Sequence, residues 1–235
     1  MIWLIPLASF LAALLGTGAV RQLLRRRAIL DHPNARSSHR EPTPRGGGLV
    51  LAPVALLAWA CLGLEIWPLL AAGLALAALS WADDLYRLPV LVRLIGQAVA
   101  VAVGLSTLPD AGAILPGLLP PMVERLLSGL AWLWFVNLFN FMDGIDGISG
   151  VEAIAIGVGA ALVLWLAGDA RPLALHGLAI AAVAAGFLAW NWAPAKIFLG
   201  DVGSVTLGYL LGWLLLALAA RGHWAAALLL PLYYL

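Results

Sequence analysis

Apolar residues fill long stretches of this chain, and short charged or polar segments separate the stretches. Because about 20 residues of helix cross the hydrocarbon core of a bilayer, stretches of this length predict membrane-spanning helices. Eight are long enough: residues 1–20, 46–64, 66–82, 89–108, 126–142, 153–168, 172–193 and 205–220. A ninth, residues 224–235, is too short to cross, and we expect it to belong to a helix that continues past Leu235.

The pattern therefore predicts an all-α fold, a polytopic transmembrane helical bundle with eight full spans and a truncated ninth. Residues 1–235 are expected to form a single integral membrane domain that lacks its C-terminal part. Hydrophobic residues make up 63% of the chain and charged residues 11%, against about 45–50% and about 25% in soluble domains. Such a composition cannot cover a water-facing surface.

Charge and cysteine content exclude two further classes. The net charge of +1 excludes a broad nucleic-acid-binding surface, so we expect no nucleic-acid partner. The single cysteine, Cys61, excludes an intramolecular disulfide framework.

The distribution of Lys and Arg predicts the orientation of the bundle. If the connection after the first span is cytoplasmic, alternation leaves only Arg125, Arg171 and Arg221 outside and puts every other Lys and Arg inside. This orientation places the N-terminus outside. It also gathers most acidic residues on the cytoplasmic face, although they were not used to choose it.

The first of four unusual cytoplasmic segments, residues 31–48, ends in three consecutive glycines. Glycines such as Gly46 and Gly47 expose backbone N–H groups, and Arg45 supplies positive charge, so an anion such as phosphate would be accommodated there. The alternative is a basic loop with a flexible entry into the second span.

The second segment carries adjacent carboxylates, Asp83 and Asp84, at the end of the third span. The helix dipole disfavours anions at a C-terminal end, and two neighbouring carboxylates repel each other. We expect a divalent cation or a bound proton to compensate. The alternative is an interfacial stop signal with Arg87 as the counter-ion.

The third segment repeats a polar residue every three positions, at Asn137, Asn140, Asp143 and Asp146. This spacing predicts one polar stripe on an otherwise apolar helix, which must face protein, water or ligand. The alternative is a helix-capping role, but capping needs only one Asn or Asp and leaves the other three unexplained.

The fourth segment, residues 191–204, places Asp201 between glycines with Lys196 nearby. A carboxylate ligand and a cation are the combination that a Mg²⁺-bound diphosphate requires. Phe198 could stack on a base, or it could simply be an aromatic side chain of the membrane interface.

Taken together and in this order, the four segments resemble the polyprenyl-phosphate N-acetylhexosamine-1-phosphate transferases. That family includes phospho-N-acetylmuramoyl-pentapeptide transferase and the enzymes that start O-antigen synthesis. Residues 42–46, Pro-Thr-Pro-Arg-Gly, replace the Pro-Thr-Met-Gly-Gly typical of the muramoyl branch, so the chain looks closer to the O-antigen-initiating type.

The resemblance implies transfer of a sugar 1-phosphate from a UDP-sugar to undecaprenyl phosphate, with release of UMP, to initiate synthesis of a cell-surface polysaccharide. It also implies a multi-pass protein of the bacterial inner membrane with its active site facing the cytoplasm. The implied cofactor is Mg²⁺, with Mn²⁺ as the alternative, and members of the family can form homodimers.

The same resemblance assigns residue roles. The implied metal ligands are Asp201 and Asn140, and Asp83 or Asp84 would orient or deprotonate the lipid phosphate. The implied catalytic set is Asp83, Asp84, Asp143 and Asp201. The implied substrate-binding set is Asn137, Asp146, Asn191, Lys196, Phe198, Arg45, Gly46 and Gly47.

Two features depart from the family pattern. Arg87 stands where the acidic motif often has a third Asp, and the family's His-containing cytoplasmic loop would lie beyond Leu235. A truncated, non-catalytic paralogue is therefore one alternative. A proton-coupled transporter is another, but it predicts acids near helix centres and an internal repeat, whereas these acids lie at the predicted cytoplasmic ends.

The predicted orientation can be tested by cysteine labelling in intact cells. With Cys61 replaced by Ala, cysteines introduced at Ser38 and at Asp169 should react from opposite sides of the membrane, because the charge bias puts residue 38 inside and residue 169 outside. A membrane-impermeant maleimide is expected to label only position 169. Labelling of both positions from outside would contradict the orientation.

Overall fold

A computed structural model of the protein describes residues 2–33, 41–108, 119–169 and 171–234. Its helices are α1 (Leu4–Arg26), α2 (Gly48–Cys61), α3 (Trp67–Tyr86), α4 (Val90–Leu105), α5 (Pro121–Met142), α6 (Ile148–Leu166), α7 (Arg171–Asn191), α8 (Asp201–Leu218) and α9 (Trp224–Leu229). A π-helical turn, Ala219–His223, joins α8 to α9. Two short strands, β1 (Leu30–Asp31) and β2 (Thr43–Pro44), pair antiparallel before α2. The predicted all-α bundle is confirmed.

Six helices within the described ranges are long and apolar enough to cross a membrane: Leu4–Arg26, Trp67–Tyr86, Pro121–Met142, Ile148–Leu166, Pro172–Asn191 and the kinked Asp201–Leu229. α2 and α4 have only 14 and 16 residues. Helices of this length measure roughly 20–25 Å, against about 30 Å of hydrocarbon. A multi-pass membrane bundle is thus confirmed, whereas the count of eight full spans and the outside N-terminus stay predictions.

Several helices start earlier in the chain than was predicted. The predicted starts at 126, 153 and 205 are replaced by Pro121, Ile148 and Asp201. The sequence-based bounds were wrong because they treated charged residues as ends of spans. The bundle instead carries Glu124 and Glu152 inside helices, and both side chains are buried.

The last apolar stretch is not one continuous helix. Gly222 adopts a left-handed φ of 88° and kinks the chain before α9. α9 then ends at Leu229, whereas the sequence predicted one helix running from residue 224 to Leu235 and beyond. Pro231 follows, and a proline cannot continue the hydrogen-bond ladder of a helix because it lacks an N–H group.

α8 is the central helix of the bundle. All of its residues except Asp201 and Leu216 are buried, and it packs against α2, α3, α5 and α6. Glycines let its neighbours approach closely, as membrane helices commonly do: a Cβ added at Gly208 would meet Val136 of α5 at 3.1 Å. The buried Tyr209 hydroxyl donates to the carbonyl oxygen of Ala100 in α4 at 3.0 Å. The core therefore forms around one apolar helix.

α7 packs against both α1 and α6 beside this centre. A Cβ added at Gly157 of α6 would lie 2.5 Å from the Gly177 carbonyl of α7, so the two helix backbones are in direct contact. The indole N–H of Trp190 in α7 donates to the Leu14 carbonyl of α1 at 2.8 Å. Large apolar side chains such as Leu7 and Leu11 remain exposed on the outside of the bundle, where lipid would cover them.

The polar segments meet at one end of the bundle. Contacts join the end of α3 to the start of α8, the end of α5 to α8, and the loop before α6 to the end of α7. The loop before α2 pairs with the segment that precedes α8. The predicted gathering of these segments is confirmed, although residues 34–40 of the first segment lie outside the described ranges.

Candidate active site

Three charged side chains form the centre of this polar end. The guanidinium of Arg45 lies between two carboxylates, with Nε 3.0 Å from Asp84 Oδ1 and Nη2 2.6 Å from Asp201 Oδ1. The Asp84 side chain is only 3% exposed, whereas that of Arg45 is 40% exposed. Arg45 therefore covers a buried carboxylate and keeps part of its own surface available to a ligand.

Asp84 also caps the central helix. Its Oδ1 accepts from the N–H of Asp201 at 3.1 Å, and its Oδ2 accepts from the N–H of Val202 at 3.0 Å. These N–H groups begin α8 and have no partner within the helix, and the positive end of the helix dipole favours an anion. Arg45 and the N-terminus of α8 therefore compensate part of the Asp84 charge, and a cation or a bound proton at the Asp83–Asp84 pair stays a prediction.

Asp83 has a different set of partners. Its Oδ1 accepts from the Leu88 N–H at 2.7 Å, and its Oδ2 lies 3.0 Å from Nη1 of Arg93 in α4. The sequence suggested Arg87 as the counter-ion of this pair. Arg87 follows α3 with a left-handed φ of 53°. Among the described residues, the ion pair of Asp83 is with Arg93 and not with Arg87. The carboxyl group of Asp83 also lies within hydrogen-bonding reach of Asp201.

The predicted polar stripe is only half helical. α5 ends at Met142, so Asn137 and Asn140 share the helix, while Asp143 and Asp146 lie in the turn that follows. The continuous stripe was therefore a wrong prediction, because the helix stops one step before Asp143. Asp143 has Ser149 as a hydrogen-bonding partner.

The two asparagines of α5 contact neighbouring helices. Asn140 Oδ1 accepts from the Ser204 hydroxyl of α8 at 2.5 Å. Asn137 Nδ2 donates to Gln97 Oε1 of α4 at 2.7 Å. Both asparagines line the smaller, partly apolar cavity described below, so the structure brings them next to the acidic cluster.

Asp146 and Asn191 fix two loops to each other. Asn191 accepts from the Gly147 N–H at 2.9 Å and donates to the Ile197 carbonyl at 3.0 Å. Asp146 accepts from the Ala195 N–H at 2.9 Å. These contacts give both residues a structural role, and their predicted contact with a nucleotide stays a prediction.

The glycine triplet pairs with the segment before α8. Gly46 and Gly47 donate their N–H groups to the Phe198 carbonyl at 3.1 and 2.9 Å, and Gly48 donates to that of Leu199. A Cβ at Gly48 would lie 2.1 Å from the Gly203 nitrogen, so the glycine permits the starts of α2 and α8 to touch. The interpretation of these N–H groups as a phosphate cradle is not supported, because they already have acceptors.

Lys196 lies away from the acidic cluster. Its Nζ is 5.9 Å from the centroid of the Trp190 ring, and the Arg21 guanidinium is 5.6 Å from the same centroid. Lys196 lines neither of the two cavities that contain Asp201. Phe198 is half-buried and takes part in the backbone pairing with the glycine triplet. Substrate binding by Lys196 and Phe198 stays a prediction.

Two cavities meet at the acidic cluster. One, of about 410 Å³, is lined largely by polar groups that include Asp31, Arg45 and Arg87. The other, of about 80 Å³, has walls of Leu76, Val90 and Leu94 with Asn137 and Asn140. Both are lined by three shared residues, Asp83, Arg93 and Asp201. A polar chamber and a partly apolar one therefore share one charged wall.

The oxygen atoms of Asp201 and Asn140 are of the kind that bind Mg²⁺. Asp201 and Asn140 line the same cavity, and Asp201 Oδ2 is 3.9 Å from Arg93, too far for a hydrogen bond. Asp83, Asp84 and Asp201 face the guanidiniums of Arg45 and Arg93, so the cluster carries one net negative charge when all three acids are ionised. In the described part of the chain no group of three or more His, Cys, Asp or Glu forms a metal site. Mg²⁺ needs only one or two carboxylates when waters and substrate phosphates complete its shell.

Sequence reasoning missed Arg93, Gln97 and Ser204. Each hydrogen-bonds to a predicted site residue in another helix: Arg93 to Asp83, Gln97 to Asn137 and Ser204 to Asn140. The two residues of these pairs are 10, 40 and 64 positions apart in the chain. Local spacing cannot show such pairs. The available signal was chemical: Arg93 and Gln97 are the polar residues of the otherwise apolar α4.

Comparison with known proteins shows similar chains. Residues 66–219 match the model of glycosyl transferase family 4. Decaprenyl-phosphate N-acetylglucosaminephosphotransferase of Mycolicibacterium smegmatis is 31% identical over 89% of this chain and 58% of its own. The probable undecaprenyl-phosphate N-acetylglucosaminyl 1-phosphate transferase of Bacillus subtilis is 28% identical over 86% of this chain and 59% of its own. Phospho-N-acetylmuramoyl-pentapeptide-transferase of Corynebacterium jeikeium is 33% identical over 65% of this chain and 54% of its own. The chain thus spans about half the length of the curated relatives it matches.

Burial of the Asp143 carboxyl group, in the turn after α5, predicts a pH-dependent stability. Burial raises its pKa to about 7, although a hydrogen bond from Ser149 opposes the shift. The folded chain then holds a proton that the unfolded chain has lost, so the free energy of unfolding should fall as pH rises from about 4 to about 7. Asp143→Asn, which cannot ionise, should flatten this dependence in thermal unfolding between pH 5 and 8. Parallel curves for the two proteins would contradict the assignment to Asp143.

Proposed function

The chain belongs to glycosyl transferase family 4, and we propose that it transfers an N-acetylhexosamine-type sugar 1-phosphate from a UDP-sugar to undecaprenyl phosphate, with release of UMP. The relatives' names, which specify polyprenyl phosphates and N-acetylglucosamine, support this activity. The observation that carries the proposal is the charged wall of Asp83, Arg93 and Asp201 between a polar and a partly apolar cavity. A soluble nucleotide sugar and a lipid phosphate need such a meeting point.

The proposed reaction exchanges one phosphoanhydride bond for another. An oxygen of undecaprenyl phosphate bonds to the phosphorus that carries the sugar, and the bond from that phosphorus to the UMP oxygen breaks. Both reactants are anions, so charge neutralisation is the main requirement of the site. Arg45 and Arg93 supply two positive charges on either side of Asp201, at 2.6 and 3.9 Å.

Asp201 and Asn140 are the proposed protein ligands of Mg²⁺, with Mn²⁺ as the alternative. When bound, the metal would neutralise charge on the diphosphate. Asn140 is held for this role by the Ser204 hydroxyl, which occupies one lone pair of its amide oxygen and leaves the other.

Asp83 and Asp84 are better suited to positioning neighbouring groups than to acting as general bases. Asp84 uses both oxygens on Arg45 and on the first N–H groups of α8. Asp83 uses both oxygens on Leu88 and Arg93. A phosphate monoester is largely ionised at neutral pH, so the attacking group needs no base. We assign the two residues to positioning the arginines and the start of α8.

In the cell, this step would initiate synthesis of a cell-surface polysaccharide, with O-antigen as the expected product class. The proposed location is the bacterial inner membrane, with the polar end of the bundle towards the cytoplasm, where nucleotide sugars are made. A homodimer stays a prediction.

The Asp201 side chain gives the direct test. Asp201→Asn keeps the shape of the side chain but removes the charge that would hold Mg²⁺, so UMP release from UDP-N-acetyl sugars should fall at least about 100-fold. Asn140→Ala should show a smaller loss that higher Mg²⁺ partly restores, because it removes a neutral ligand. Assays of UMP release in membranes, with and without undecaprenyl phosphate, measure the loss of activity in each variant.

Asp169→Asn is the matched control, since Asp169 pairs with Arg221 and lies away from the cluster. It should retain activity at equal expression. Normal turnover and unchanged metal dependence in Asp201→Asn would remove Asp201 from the proposed site.

A further inference from the structure

Two cations meet at one indole ring where the end of α1 lies beside the end of α7. The Arg21 guanidinium is 5.6 Å from the centroid of the Trp190 ring, and Nζ of Lys196 is 5.9 Å from the same centroid. Arg21 Nε also donates to the Lys196 carbonyl oxygen at 3.2 Å. The contact therefore joins side chains that are 175 positions apart in the chain.

The end of α1 adds further positive charge to this place. Arg25 is four residues after Arg21, on the same face of the helix, where like charges destabilise it. We call the basic surface the set of Arg21, Arg25, Arg26, Arg27 and Lys196. In the part of the chain that the structure describes, no ion pair includes any of them. Residues 34–40, which lie outside that part, contain two arginines and no Asp or Glu. The charge of the basic surface is therefore left for a ligand to compensate.

The position of the basic surface matches the level of the lipid headgroups. α1 and α7 are both long and apolar enough to cross a membrane, and the cations lie where both helices end. Tryptophans concentrate at the membrane–water interface. Trp190 is the next-to-last residue of α7, and Trp192, which follows the helix, is exposed. A Cβ added at Gly18 of α1 would lie 2.8 Å from the Trp190 ring, so the ring is packed against α1 and held there.

We propose that the basic surface binds the anionic headgroup of a bilayer phospholipid, with Arg21 and Lys196 contacting its phosphate. A guanidinium has five N–H donors, of which the Lys196 carbonyl takes one from Arg21, and an ammonium has three. Basic clusters at the end of a membrane-spanning helix attract anionic lipids. The surface is separate from the acidic wall, because neither Arg21 nor Lys196 lines a cavity that contains Asp201. The inference therefore goes beyond the proposed function and does not depend on it.

Lipid affinity of the purified full chain in a neutral detergent provides the test. Native mass spectrometry measures dissociation constants for phosphatidylglycerol, which is anionic, and for phosphatidylcholine, which has the same acyl chains and no net charge. The natural chain should bind phosphatidylglycerol more tightly. Arg21→Gln and Lys196→Gln should each weaken that binding about fivefold, and the double variant should weaken it further. Binding of phosphatidylcholine should not change.

Two further variants separate lipid binding from a structural role. Arg21→Lys keeps the charge and loses the guanidinium that bonds to the Lys196 carbonyl, so it should keep most of the affinity for phosphatidylglycerol. A purely structural role would be lost in Arg21→Lys and Arg21→Gln alike. Arg125→Gln is the matched control, because Arg125 is an exposed cation at the start of α5, at the other end of the bundle. It should keep the natural affinity.

Several results would overturn the proposal. Equal affinity of the natural chain for the two phospholipids is one, and an unchanged affinity for phosphatidylglycerol in the double variant is another. If inorganic phosphate at the same concentration displaces phosphatidylglycerol, the basic surface is a site for a soluble anion and not for a lipid. If the variants weaken only undecaprenyl phosphate, measured in parallel, the cations serve the proposed acceptor instead. No outcome requires turnover, so failure of the proposed function would leave this test intact.

Discussion

The carboxylate of Asp84 at the N-terminus of α8 is the interaction on which the polar end of this protein depends. α8 is buried along nearly its whole length, so its first N–H groups cannot rely on water for partners. Asp84 accepts two of them, one with each oxygen, and its Oδ1 also pairs with Arg45. One side chain thereby joins the end of α3, the start of α8 and the loop before α2.

The same arrangement accounts for the position of the proposed chemistry. Because Arg45 bridges Asp84 and Asp201, the first residue of α8 is held at the boundary of both cavities. Arg93 then approaches from α4 and pairs with Asp83. The acids exceed the arginines in number, and the proposed Mg²⁺ ion would compensate the difference. A charged wall of this kind would suit the proposed phosphoryl transfer, in which positioning and electrostatic stabilisation do most of the work.

The sequence allowed the bundle, its polar segments and their shared end to be predicted, because long apolar stretches and clustered charges are local patterns. It did not allow the side-chain contacts between these segments to be predicted. Asp84 meets α8 and Asn140 meets Ser204 only after the chain has crossed the bundle several times. The glycine triplet shows the same limit: its composition suggested an anion site, whereas its N–H groups pair with backbone carbonyls and its missing side chains permit close contact with Gly203.

A double-mutant cycle on Arg45 and Asp84 tests the central claim most directly. The free energies of unfolding of the natural chain, Arg45→Met, Asp84→Asn and the double variant would be measured in mixed micelles. If the pair organises the start of α8, each single change leaves a charged or polar partner uncompensated, and the double variant should lose less stability than the two single losses combined, by at least about 1 kcal/mol. Losses that add to within about 0.5 kcal/mol would contradict the account.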